Sequence, residues 1–202
     1  MLTVSAKSNS SNTAPLEAGT YPARCVQIID LGNQMNDLAG KYQRQVMILW
    51  ELPTERLEIN GEDKPRVMSA TYTASLNDKA KLRAILESWR GRGFTDEELE
   101  SFDLHNILDK TCMLTIVNKT SKTSGKQYSA VGSVSKLMKG VAVAEAETTI
   151  FAFDLDVGDD VWEQMKTLPN WIQDRIKASE EYKAHEQNDF TNINPEDLPF
   201  GD

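Results

Sequence analysis

Apolar residues fall on every second position between Lys41 and Leu52, and then at helical spacing between Leu82 and Trp89. This change of period, with a return to β-type composition at Thr111, constrains the fold more than any other feature of the chain. In the alternating run Tyr42, Arg44, Val46, Ile48, Trp50 and Leu52 share one face, and Pro53 is expected to end the strand. An earlier strand is predicted to begin at Gly19 and run to Ile29, with Pro22 near its start, followed by a Gly- and Asn-broken loop over 31–40. Asn60-Gly61 is a strong turn signal before a third strand, Arg66 to Leu76. Asn77 is then expected as the N-cap of a helix that buries Leu82, Ile85, Leu86 and Trp89 and closes at Gly91 and Gly93. Two short helical turns are expected at Thr95–Ser101 and Asp103–Asp109, the first opened by a Thr95/Glu98 capping box. A fourth strand spans Thr111–Thr120, with Cys112, Leu114 and Ile116 on one side; a fifth, Lys126–Leu137, follows the polar loop Ser121–Gly125.

Strand, strand, strand, helix, strand, strand is the connectivity of the OB-fold, a five-stranded Greek-key barrel with a helix between strands three and four. The expected fold is therefore mainly β, with a barrel domain over 14–140. Residues 1–13, rich in Ser, Asn and Thr and lacking an apolar h-region, are expected as a disordered leader rather than a signal peptide. Small residues over 141–157 suggest a linker, and 158–184 a helical extension broken at Pro169, whose second helix carries a stripe of Trp171, Ile172, Ile176 and Tyr182. The remainder, 185–202, reads as a disordered acidic tail.

The net charge of -9 argues against a nucleic-acid partner only until it is located. Residues 1–140 hold 18 Lys/Arg against 16 Asp/Glu, whereas 141–202 hold 4 against 15. The front is slightly basic and the back carries the acidic excess, which suggests two tasks on one chain. No apolar run is long enough for a membrane span, so a cytoplasmic protein is expected. Cys25 and Cys112 are expected to be buried thiols. Catalysis is not expected. His105 and His185 stand in unrelated segments, the two cysteines form no CxxC, and Gly125-Lys126 lacks the rest of a phosphate loop, so neither metal nor cofactor is anticipated. The acids Asp96-Glu97-Glu98 and Asp159-Asp160 fit helix N-termini, where carboxylates favour the macrodipole.

The informative constellation is repeated. Lys41, Tyr42 and Arg44 open the second strand, and Lys122, Lys126 and Tyr128 surround the opening of the fifth. In an OB-fold the loops preceding those strands flank the oligonucleotide groove. Lys and Arg neutralise phosphates, and an exposed ring stacks a base for about 1–3 kcal/mol. Arg66, Tyr72 and Lys119 are further candidate contacts. Trp50 and Trp89 are expected in the core, while Arg90 and Arg92 suit either added positive potential or helix-end charge.

Glu196-Asp197-Leu198-Pro199-Phe200 places a short apolar anchor after acids, a segment suited to docking in a pocket ringed by basic residues. It resembles the acidic C-terminal tip of bacterial single-stranded DNA-binding proteins, although Gly201 and Asp202 follow the Phe here. The wider chain resembles the single-stranded DNA-binding proteins of tailed bacteriophages. The resemblance rests on Ala18–Ala23 (AGTYPA), Leu86–Thr95 (LESWRGRGFT) and Leu168–Ile172 (LPNWI). It implies an OB-fold that covers single strands during DNA replication and recombination, in the host cytoplasm, with little sequence preference and no catalytic residues. It also implies that the tail recruits replication or recombination proteins; homo-oligomerisation is left open. The competing expectation is an OB-like interaction adaptor, or a DNA-mimic inhibitor, with no affinity for nucleic acid.

Overall fold

A computed structural model of the protein describes residues 14–191, apart from 38, 39, 60 and 159. Its centre is a curled antiparallel sheet that forms half a barrel and is compatible with an OB-like fold. In chain order the strands are β1 (Gly19–Asn36), β2 (Lys41–Ile59), β3 (Glu62–Thr73), β4 (Thr111–Thr120) and β5 (Gln127–Ser135). They lie side by side as β3-β2-β1-β4-β5. The N-terminal part of β1 pairs with β4, Gly19 opposite Ile116, and the remainder pairs with β2, ending with Asn36 opposite Lys41.

Two strands are longer than the residue types suggest, and both continue through a bulge. Leu31–Asn36, expected as loop, remains in β1 because the register shifts between Asp30 and Asn33. Gly32 sits in that shift at φ +69°, a conformation glycine adopts without strain. Pro53 does not end β2 either: the register shifts between Leu52 and Arg56, and the proline falls where no ladder bond is needed.

The concave face of the sheet packs on α1 (Lys81–Arg90). Ala23, Cys25, Ile28, Val46, Ile48, Trp50 and Leu52 meet Leu82, Leu86 and Trp89 in one core. Trp50 and Trp89 are both buried, as expected, with ring centroids 6.1 Å apart. Asn77 is not the N-cap: α1 starts four residues later behind Ala80, whose side chain makes no cap, while Gly91 ends it at φ +71°. The capping box of Thr95 and Glu98 forms at α2 (Asp96–Glu100), and Leu104–Ile107 makes a 3-10 turn. Cys25 and Cys112 are buried free thiols, and burial pushes the Cys25 thiol up to about 12.

The expected linker is part of the structure. Within 141–157 a short β6 (Phe151–Phe153) pairs in parallel with β1, and the buried Glu51 accepts the backbone N–H groups of Glu147 and Thr148 at 3.1 and 2.7 Å. Beyond it stand three helices rather than two: α3 (Val161–Met165), α4 (Asn170–Lys177) and α5 (Glu180–Thr191). Their apolar residues Val161, Met165, Ile172 and Ile176, with Leu168 between α3 and α4, cover Val26, Ile29, Leu31, Met47 and Leu49 on the convex side of β1 and β2. The sheet is thus buried on both faces there, and the two cores share β1 and β2. Of the expected acidic tail, 185–191 belong to α5. The tip Glu196–Phe200 and the leader 1–13 lie outside the described residues.

Candidate nucleic-acid interface

The two loops singled out in the sequence sit at opposite ends of β1, one following Asn36 and the other beyond the β4 segment that pairs with Gly19. In the loop between β4 and β5, Gly125 at φ +67° closes a tight turn, its N–H donating to the Ser121 carbonyl at 2.9 Å. Lys122 and Lys126 are exposed on it. Directly behind, Lys119 of β4 faces Tyr128 of β5, and the Tyr128 ring is 47% exposed. At the other loop Lys41 and Tyr42 are exposed, and the Lys183 ammonium lies 5.9 Å from the Tyr42 ring centroid. Among the described residues, Lys41, Lys119, Lys122 and Lys126 make no ion pair.

The other candidates are placed differently. Arg44 is locked in place: its guanidinium is ion-paired with Asp30, bonded to Asp156 at 2.7 Å and 3.7 Å from Asp154. The hydrogen bond to Asp30 is the main cause raising its pKa above the ordinary arginine value. Tyr72 is 8% exposed with its ring in the main core, and burial raises its phenol pKa. It is not an open stacking platform in this structure. Arg66 stands opposite Leu52 on the core side of β3 and donates to the Ala14 carbonyl at 3.2 Å. Two residues on, the Leu16 N–H donates to the Ser129 hydroxyl at 2.7 Å. Residues 14–16 therefore bridge β3 and β5 across the open side of the half barrel.

Arg90 and Arg92 are also engaged, both with Glu98. The Arg92 hydrogen bond, with that from the Thr95 backbone, lowers the Glu98 carboxyl to about 2. The Arg90 guanidinium lies 4.4 Å from the Phe94 ring centroid. These contacts make Arg90 and Arg92 parts of the α1–α2 junction.

A groove of about 550 Å³ opens where the start of β2 and the end of β3 meet the 75–81 segment and α4. Gln43, Gln45, Thr71 and Thr73 form its floor, and Lys79, Lys81 and Arg175 stand around it. Among the described residues no carboxylate lines it. Lys79, Lys81 and Arg175 were missed in the sequence. The lysines read as ordinary residues of a helix start, and Arg175 comes from a segment some 130 positions away from β2. No local signal marked them: read from Asn77 the helix has Asp78 in its first turn, and only the structural start at Lys81 leaves that turn without an acid.

Among the described residues no group of three or more His, Cys, Asp or Glu could hold a metal ion, and no helix is long and apolar enough to cross a membrane. No family model and no curated protein matches this chain.

Proposed function

We propose that this chain is an OB-type protein that binds single-stranded DNA without sequence preference and catalyses nothing. The observation that carries this reading is the pair of exposed tyrosines, Tyr42 and Tyr128, each beside lysines that no described carboxylate neutralises. A ring on the surface offers any base a π-face, and unpaired ammonium groups neutralise phosphates and so release the strand's condensed counterions. The three stretches resembling phage single-stranded DNA-binding proteins agree with it and suggest strand protection in DNA replication and recombination, in the host cytoplasm. On this reading Glu196–Phe200 recruits partner proteins.

The competing adaptor or DNA-mimic reading draws on the acidic excess of residues 141–202. One experiment separates the two: a titration of fluorescently labelled oligo-dT with the full chain, followed by anisotropy across a salt series. Strand binding predicts a linear fall of log affinity with log salt, about 0.7 per phosphate neutralised. Absence of binding at low salt rejects the strand reading and leaves the adaptor.

A further inference from the structure

We infer that the C-terminal extension is part of the strand-binding surface, with Arg175 of α4 joining Lys79 and Lys81 in a phosphate track along the β2–β3 groove. This rests on the strand-binding reading above and says where the backbone of that strand runs.

Three observations carry it. First, the groove gathers three cations from two parts of the chain and is lined by no described carboxylate, in a protein whose acids outnumber its bases. Among the described residues none of the three has an ion-pair partner. Of the seven other arginines, six (Arg24, Arg44, Arg56, Arg83, Arg90 and Arg92) face acids, and Arg66 is engaged by the Ala14 carbonyl.

Second, Arg175 is held in position. Its Nη2 donates to Gln45 Oε1 at 3.0 Å, and its own carbonyl accepts from Gln34 Nε2 at 2.9 Å. Ile172 and Ile176, on either side of it in α4, are fully buried against the sheet. A guanidinium fixed before the ligand arrives loses little freedom when it binds, and its remaining N–H groups suit a phosphate oxygen.

Third, the floor is polar and uncharged. Gln and Thr side chains offer donors and acceptors to sugar and phosphate, and among the described residues the only ring at the groove, that of Tyr72, is buried. The groove therefore holds the backbone, and stacking is left to Tyr42 and Tyr128. Charge from the extension and stacking from the loops divide the task.

The test uses the full chain with labelled oligo-dT in a salt series, comparing wild type, Arg175→Gln, Arg175→Lys, the double variant Lys79→Ala/Lys81→Ala, and Lys166→Ala as a control cation on the same extension. Arg175→Gln is expected to weaken binding about three- to tenfold at moderate salt and to lower the salt slope by about 0.7. Arg175→Lys should restore the slope, and the double lysine variant should lower it further. Lys166→Ala should match wild type. Far-ultraviolet circular dichroism and thermal melting of each variant report the fold. Wild-type affinity and slope in Arg175→Gln and in the double lysine variant would overturn the inference while leaving strand binding intact. Failure of the wild type to bind at low salt would overturn both, and is read from the wild-type titration alone. Photo-crosslinking of the oligonucleotide supplies a readout independent of stability: adducts in 170–177 support the track, and adducts confined to the two loops contradict it.

Discussion

Arg44 and Arg175 stand on opposite faces of the sheet, at adjacent positions of β2. Arg44 belongs to the strand itself and is surrounded by Asp30, Asp154 and Asp156; Arg175 reaches its neighbour Gln45 from α4 and meets an amide. Two residues of one type thus have opposite uses. The first is spent on internal carboxylates and ties β6 and its following turn to β1 and β2. The second has no ion-pair partner among the described residues, which leaves its charge available to the proposed strand. Cations counted along a sequence do not mark a binding face; whether a nearby acid engages them has to be read from the structure.

The comparison breaks most completely if the extension is loosened. Ile176→Ala should cost about 2–5 kcal/mol in denaturant unfolding, the usual range for a large-to-small change in a packed core. If Arg175 matters where the helix holds it, oligo-dT affinity should fall with it. Affinity unchanged in a folded Ile176→Ala protein would mean that the position of α4 is irrelevant to the strand.

Tyr128→Ala sharpens the contrast between open and buried rings. It should reduce oligo-dT affinity by about 1–3 kcal/mol, the value of one stacked base, with melting temperature nearly unchanged. Tyr72→Phe, which keeps the buried ring, should leave affinity as it was.

Arg44→Ala should show the reverse pattern. The Asp30 side chain is only 12% exposed and would lose its cation, but Arg44 itself is 38% exposed, so solvent screens the pair. A loss of about 1–2 kcal/mol of stability with an unaltered salt slope is expected. A lowered slope would place Arg44 on the strand after all.

The smallest effect tests the other engaged pair of arginines, at the α1–α2 junction. The Glu98 carboxyl is held below the ordinary carboxylate range, chiefly by Arg92. A depressed folded-state value means its contribution is complete above about pH 4.5 and is lost as pH falls through about 2. The stability difference between wild type and Glu98→Gln should therefore shrink over that window and be flat from pH 5 to 7.

What could be read from the sequence follows the range of the interaction. β4 has the expected bounds because its signals are local: an apolar alternation at Cys112, Leu114 and Ile116, bounded by a lysine-ended turn before and a Ser/Gly loop after. The Thr95/Glu98 cap and the glycine stop at Gly91 are local in the same way. β1 and β2 were both cut short, because Gly32 and Pro53 look like breakers until a partner strand shows that a bulge can absorb them. The second core was hidden for another reason. Met47 and Leu49 fall on the opposite face of the alternating strand from Val46 and Ile48, and nothing local says that helices from beyond residue 160 cover it. For the site, Lys41, Tyr42, Lys119, Lys122, Lys126 and Tyr128 were legible and are exposed. That Arg44 and Tyr72 are occupied, and that Arg175 arrives from α4, needed the tertiary structure.

The Glu51 carboxyl inside the sheet bears on how the molecule can come apart. Its two oxygens each accept a backbone N–H from the 147–148 stretch, and no water reaches them. Peeling that stretch away would exchange two charge-assisted hydrogen bonds for water, at a net cost of about 1.5–3 kcal/mol each, in addition to the apolar surface exposed. The seam between barrel and extension is therefore a poor hinge and a poor target for a protease. The two parts should melt in a single transition, and a gene cut at residue 140 would yield a fragment with an unfinished surface instead of a smaller working protein.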